Sequence, residues 1–138
     1  MSAQQPQQTK YGFSKTVDLP FGEAVEKTRA ALKEEGFGVL TEIDIKEKLK
    51  EKLGVDFRRY IILGACNPVL ANQALQVDPD IGLLLPCNVV VREEEDGSII
   101  VGFMDPAAVL KLVERDDIAT LAGEVRRRLE RVRDALLG

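Results

Sequence analysis

Histidine and tryptophan are both absent from this chain of 138 residues, and only 5% of its residues are aromatic. Without histidine, the chain cannot form a histidine-based catalytic triad, an imidazole metal site or the usual general base near neutral pH. The sequence also has no G-x-G-x-x-G or P-loop motif, so dinucleotide binding is not expected. We predict no cofactor, and the sequence leaves open whether the protein is an enzyme.

Long apolar runs are missing as well, since no segment approaches the roughly 20 residues that cross a bilayer. The first residues, MSAQQPQQTK, contain neither the basic nor the apolar region of an export signal. We therefore expect a cytoplasmic protein without a membrane partner. Thiols are kept reduced in that compartment, so the two cysteines are predicted to be free.

An excess of positive charge is also lacking, because 19 Lys and Arg face 23 Asp and Glu and give a net charge of −4. Binding to a polyphosphate backbone needs clustered basic residues. Arginines are frequent near the C-terminal end, but they alternate there with Glu124, Glu130 and Asp134, which is typical of a salt-bridged helix face. No nucleic-acid partner is expected.

The chain does contain enough apolar material for one domain, with 45% hydrophobic and 30% charged residues. A chain of this length buries roughly two-thirds of its unfolded surface, which is enough for a core without metals or disulfides. Residues 1–9 include four Gln and no large apolar side chain. We expect a disordered tail over residues 1–9 and a single α+β domain over residues 10–138.

Apolar periodicity and capping residues divide this domain into strands and helices. Strands are predicted over Tyr11–Val17, Phe37–Ile45, Phe57–Ala65, Gly82–Val91 and Ile99–Val101, the last two forming a hairpin. Pro86 interrupts the apolar run of Gly82–Val91, so this strand is expected to have an irregular entry. Helices are predicted over Phe21–Glu35, Lys46–Lys52, Pro68–Gln76, Pro106 to about Val113, and a last helix that ends at about Leu137. The first of these is expected to be capped by Asp18, the third by Asn67, the fourth by Asp105 and the last by Asp116 or Asp117. This order predicts an α+β two-layer sandwich with helices on one face of a largely antiparallel sheet.

The dipeptide Cys-Asn occurs twice, in GACNP (residues 64–68) and in LPCNV (residues 85–89). Cys66 precedes a predicted helix, whose N-terminal N–H groups and dipole can lower the pKa of a thiol and make it reactive. The alternative interpretation is structural, because free cysteine is among the most buried residue types. Cys66 and Cys87 would then be small core residues, and Asn67 only a helix cap.

Glu42 and Asp44 are two residues apart on a predicted strand and therefore lie on one face of it. Acidic side chains are mostly exposed, so a solvated strand face explains them. A metal site would need more ligands than Cys66 and Cys87, which are 21 positions apart and belong to no C-x-x-C motif. We predict no metal site.

The segments YIILGACNPVLANQAL (residues 60–75) and DPDIGLLLPCNVVV (residues 78–91) resemble an uncharacterised prokaryotic family classed as a domain of unknown function. The resemblance extends over roughly residues 11–136. It implies a two-layer fold similar to that of the TATA-binding protein, and it implies no biochemical role. The positions that match the family are Gly64, Cys66, Asn67, Pro68, Pro86, Cys87 and Asn88, with Glu42, Asp44 and Asp105-Pro106 in addition.

Three functional hypotheses follow from these residues. The first is a small-molecule binding module with a crevice at the two Cys-Asn motifs, lined by Cys66, Asn67, Cys87, Asn88, Glu42 and Asp44. The second is an interaction protein that forms a homodimer through an exposed sheet edge or the last helix. The third is a thiol-based redox protein in which Cys66 is the nucleophile and Cys87 the resolving thiol, which requires Cα atoms within about 7 Å.

Overall fold

The computed structural model describes residues 8–138, so the tail predicted over residues 1–9 lies, up to residue 7, outside the described residues. The described chain contains strands β1 (Gly12–Val17), β2 (Gly38–Asp44), β3 (Tyr60–Cys66), β4 (Cys87–Glu93) and β5 (Ile99–Met104). Its α-helices are α1 (Phe21–Glu34), α2 (Ile45–Leu53), α3 (Pro68–Val77), α4 (Pro106–Val109) and α5 (Asp116–Ala135). Two 3-10 helices, Pro79–Leu84 and Leu110–Val113, follow α3 and α4.

The strands form one antiparallel sheet in the order β1-β5-β4-β3-β2. The predicted hairpin is confirmed, since Val91 pairs with Val101 and Val89 with Phe103. Its turn contains Gly97 at a φ of 88°, a left-handed conformation that glycine adopts without steric cost. The predicted fold class, α+β with helices packed on a largely antiparallel sheet, is therefore confirmed.

The main core lies between one face of this sheet and the helices α1 and α5. Leu63, Val89 and Val101, on three neighbouring strands, are fully buried there. Leu32 of α1 and Leu129 of α5 are fully buried against them. Each side chain of this size contributes about 1.5–3 kcal/mol when it leaves water, so this face supplies much of the stability.

A second, smaller core lies beside the ends of β3 and β4. It contains Ile81 of the first 3-10 helix, Leu110 of the second, Ala74 of α3, and Ile118 and Ala122 of α5. This cluster fixes α3 and both 3-10 helices against the N-terminal half of α5.

The apolar run from Gly82 begins as a 3-10 helix, and the strand predicted over Gly82–Val91 starts only at Cys87. The carboxylate of Asp78 accepts a hydrogen bond from the N–H of Asp80 at 3.0 Å, and the N–H of Ile81 bonds to the carbonyl of Asp78. This turn places Ile81 in the second core, at 1% exposure. The prediction of a strand is therefore wrong for residues 82–84, which continue this 3-10 helix, whereas the irregular entry predicted at Pro86 is found immediately before β4.

Two of the four predicted capping roles differ in the structure. Asn67 accepts a hydrogen bond from the N–H of Leu70, and Asp105 caps α4 through Ala107 and Ala108, as predicted. The cap predicted at Asp18 is wrong, since Pro20 holds the N-cap position of α1 without a side-chain bond. Arg115 holds that position for α5, and Asp116 and Asp117 lie inside its first turn.

The edge strand β2 contains an irregularity that the predicted alternation missed. Val39 pairs with Ala65 and Thr41 with the next residue, Gly64, which leaves Leu40 as an extra, bulged residue at 64% exposure. Val39 and Thr41 therefore point to opposite faces of the sheet instead of the same one. Within the described residues, no helix is long and apolar enough to cross a membrane.

Candidate functional site

The face of the sheet that α1 and α5 leave open carries a shallow trough of about 630 Å³. Its floor contains the half-buried residues Val90 on β4 and Gly102 and Met104 on β5, and beside them Ile100, which is only 2% exposed. Tyr11, Tyr60, Asn88, Arg92 and Glu94 also line it. Sites for small molecules occupy roughly 300–1,000 Å³, so the trough has a suitable volume.

Gly102 opens the trough at the middle of β5. A Cβ atom added there would approach nothing closer than 3.9 Å, the distance to Cβ of Ser14, which is ordinary contact. At Gly12, in contrast, an added Cβ would lie 2.7 Å from the carbonyl oxygen of Phe103, and at Gly64 it would collide with the hydroxyl of Thr41. Packing requires glycine at Gly12 and Gly64, but it does not require glycine at Gly102.

Glycine weakens the interior of a strand, and it often marks a position where a ligand approaches the backbone closely. The φ angle of Gly102 is not in the left-handed region either. Neither packing nor backbone conformation therefore requires a glycine at position 102.

Arg92 brings a positive charge to one end of the trough. It pairs across the sheet with Tyr60 on β3 and with Ile100 on β5, so the three side chains share the open face. The Nε atom of Arg92 donates to the carboxylate of Glu94 at 3.3 Å, and the two side chains are 31% and 25% exposed. Asn88, four residues before Arg92 on β4, is exposed at the other end.

The two Cys-Asn motifs lie mainly on the helix-covered side of the sheet. Cys66, Asn67 and Cys87 line a cavity of about 40 Å³ between the ends of β3 and β4, α3 and α5. The remaining lining is apolar and includes Phe37, Leu70, Ala74, Leu85, Leu110, Ile118 and Val125. This cavity is far smaller than the roughly 300 Å³ at which sites for drug-sized ligands begin.

Burial decides the ionisation of both thiols. It raises the pKa of Cys66, and together with the nearby Cys66 it raises the pKa of Cys87 to about 12. At pH 7 only about one Cys87 in 10⁵ would then be a thiolate. Burial of the Cys66 thiol therefore acts against the lowered pKa that a reactive thiolate would need.

Glu42 and Asp44 lie on one face of β2, as predicted, but far along the strand from the Cys-Asn motifs. Glu42 accepts a hydrogen bond from Arg29 of α1 at 2.6 Å. Asp44 caps α2 by accepting from the N–H of Glu47 at 2.9 Å. Both line a cleft of about 240 Å³ beside α1, together with Lys46 and Arg59.

The six predicted site residues therefore occupy three places. Cys66, Asn67 and Cys87 come together in the small cavity, Asn88 lies in the trough, and Glu42 and Asp44 lie in the cleft beside α1. Within residues 8–138, no group of three or more His, Cys, Asp or Glu side chains is placed to hold a metal.

Sequence reasoning missed Arg92, Gly102 and Tyr60 as site residues. A signal for them was present, because alternation along β4 places Asn88, Val90 and Arg92 on one face. Gly102 interrupts the apolar run of β5, and an interior glycine marks either a bulge or a close approach.

The fold and the trough define a class of α+β domain in which an antiparallel sheet is covered by helices on one face and open on the other. A family model described as "Domain of unknown function DUF302" matches residues 13–136. The chain belongs to this family, which confirms the family resemblance of the sequence.

A solved relative supports the same fold. The crystal structure of an uncharacterized conserved DUF302 protein from Bacillus stearothermophilus is similar with a TM-score of 0.86 and 31% sequence identity. The match covers 93% of this chain and 99% of that one. An uncharacterized protein from Aquifex aeolicus is 26% identical over 93 residues, which are 67% of this chain and 58% of the Aquifex protein.

Proposed function

We propose that this protein binds a small molecule in the trough on the open face of its sheet. The observation that carries the proposal is Gly102, because the space above it is compatible with a side chain and yet stays open. A volume of about 630 Å³ and the half-buried apolar residues Val90 and Met104 in its floor support an apolar ligand body. Asn88 is the predicted ligand-binding residue that lies in this trough.

The first hypothesis placed the ligand in a crevice at both Cys-Asn motifs. The site proposed here lies instead on the opposite, open face of the sheet and contains Asn88 of those motifs. The cavity at Cys66, Asn67 and Cys87 has too little volume for an ordinary metabolite. The raised pKa values of both thiols also give the redox hypothesis no support. The likeness to the TATA-binding protein, the cytoplasmic location and a homodimer remain predictions.

Filling the trough tests the proposal. Gly102→Leu is expected to keep the fold and to abolish binding, while Gly102→Ala leaves most of the space. Binding is measured by backbone amide shifts during titration with octanoate, 1-octanol, benzoate and indole. The matched control is Gly22→Leu, because an added Cβ there meets nothing within 4 Å.

Shifts confined to β4 and β5 that vanish in Gly102→Leu would support the proposal. If all four probes leave these strands unperturbed, or if Gly102→Leu binds them unchanged, the trough is not the site. Concentration-dependent shifts without any probe, accompanied by dimers in sedimentation, would assign the open face to a second copy of the chain instead.

A further inference from the structure

On β4, the polar residues Asn88 and Arg92 lie towards the two ends of the trough, and the apolar Val90 lies between them. Asn88, Val90 and Arg92 alternate along β4, so all three face the trough. A strand rises about 3.3 Å per residue, which separates the Cα atoms of Asn88 and Arg92 by about 13 Å. On β5, Gly102 pairs with Val90 in the middle of the trough, and Met104 lies two residues further along, on the same face.

Arg92 has unused hydrogen-bonding capacity. Its guanidinium carries five N–H donors, and its Nε–H is directed to Glu94. Within residues 8–138, Glu94 is the acidic partner that the structure gives to Arg92, and no described group accepts from the two Nη atoms. These two nitrogens form a planar fork that matches a carboxylate, with which arginine makes bidentate hydrogen bonds.

Glu94 sets a limit on the charge of the partner. Its carboxylate holds Arg92 from the Nε side at 3.3 Å, so an anion at the Nη side lies within a few ångströms of a second negative charge. That repulsion grows with the charge of the ligand, and partial burial of both side chains reduces its screening by water. A monoanion therefore fits this arrangement better than a dianion such as a phosphate monoester.

We infer that the ligand of the trough is an apolar carboxylic acid, bound with its carboxylate on Arg92 and its apolar body over Val90 and Gly102 towards Asn88. This inference rests on the proposed function and names the chemical class that the trough selects. The amide of Asn88 offers a hydrogen-bond donor and an acceptor to a polar group at the far end of such an acid.

A matched series of eight-carbon probes tests this class. Octanoate, 1-octanol and octyl phosphate each have eight carbons in an unbranched chain, and they differ mainly in the charge of the head group. Titrations followed by backbone amide shifts are expected to give octanoate an affinity at least tenfold higher than the other two. The octanoate shifts are expected on β4 and β5, and 8-hydroxyoctanoate is expected to add a shift at Asn88.

Two variants separate the head group from the chain. Arg92→Gln is expected to weaken octanoate at least tenfold and to leave 1-octanol unchanged, whereas Glu94→Gln is expected to strengthen octanoate several-fold. Arg127→Gln, on the exposed side of α5, is the control and is expected to change neither probe.

The outcomes distinguish the inference from the proposed function. The inference of a carboxylic acid ligand is overturned if octanoate and 1-octanol bind equally in the trough, or if Arg92→Gln leaves octanoate binding unchanged. Either result keeps the trough as a binding site. Tighter binding of octyl phosphate overturns the preference for a monoanion. Absence of shifts on β4 and β5 with every probe overturns the proposed function itself.

Discussion

The two faces of this sheet are built from alternate residues of the same strands, and they differ in what covers them. On β3, Leu63 is fully buried beneath the helices, while its neighbour Ile62 faces the open side and is half-buried. On β5, Val101 is fully buried and the adjacent Gly102 has no side chain at all. On the helix-covered face, close packing in the core determines which side chains fit. On the open face, the glycine at position 102 is not required by packing.

The largest difference between the faces is expected from a pair of truncations on β3. Leu63→Ala removes a fully buried side chain and is expected to cost about 2–5 kcal/mol in the free energy of unfolding. Ile62→Ala, one residue away on the open face, is expected to cost about 1 kcal/mol or less, because its side chain leaves no closed cavity. Urea unfolding measures both, and equal costs would contradict the contrast between the faces.

Truncation of Asp105, a buried acidic residue on the helix-covered side, is expected to give the next largest loss in the free energy of unfolding. Asp105 is 9% exposed, caps α4 and pairs with Arg126 of α5, which stacks over the ring of Phe13 on β1. Asp105→Ala is expected to cost about 2 kcal/mol, since it removes the cap of α4 and one of the two carboxylates that pair with Arg126, leaving Glu130 as the other.

The control for this truncation is Asp117→Ala, which breaks an exposed ion pair with Arg115. Because the Asp117 carboxylate also accepts from the N–H of Ile118 in the first turn of α5, the unfolding midpoint in urea is expected to fall slightly, and by much less than for Asp105→Ala. A midpoint for Asp105→Ala that equals the one for Asp117→Ala would show that Asp105 anchors nothing.

The buried thiol gives an intermediate effect that depends on pH. The folded pKa of Cys87 is about 12, above its ordinary value of 9.0, so folding favours the neutral thiol. Its contribution is complete below pH 9 and is lost between pH 9 and about 12, because the unfolded chain releases the proton first. Near pH 10 the loss is about 1 kcal/mol.

Cys87→Ala removes this titration and is the comparison for the parent protein. The stability of the two proteins is expected to converge as the pH rises from 8 to 10 in urea unfolding experiments. Parallel curves would mean that the Cys87 thiol titrates as it does in the unfolded chain.

The smallest effect is expected on the open face and has the opposite sign. Gly102→Ala is expected to stabilise the protein by about 0.5 kcal/mol, because alanine restricts the unfolded chain and the added Cβ has room. Gly12→Ala, whose Cβ would clash with Phe103, is the matched change on β1 and is expected to destabilise. A destabilised Gly102→Ala would give Gly102 a structural role and weaken the functional argument.

Much of the fold was predictable because local signals and tertiary packing agree. Asn67 before Pro68 and Asp105 before Pro106 predict helix starts that the structure confirms. The prediction of strand from Gly82 was wrong because periodicity does not distinguish a short buried strand from a short buried helical turn.

The trough was harder to predict because it depends on strand order and register. Arg92, Tyr60 and Ile100 become neighbours only when β3, β4 and β5 pair as they do. The repeated Cys-Asn dipeptide predicted one shared site. Cys87 and Asn88, however, are successive residues of one strand and therefore point to opposite faces of the sheet. A repeated dipeptide in a strand therefore divides its side chains between two environments.

The bulge at Leu40 has a consequence for how this protein behaves when it is concentrated. An edge strand with regular, unpaired N–H and C=O groups is a template on which a further chain can add, and repeated addition produces fibres. The extra residue at Leu40 interrupts that row in β2, and Glu42 adds a charge within it. The bulge therefore protects this edge against strand addition. Deletion of the extra residue is expected to make the edge regular and to increase aggregation.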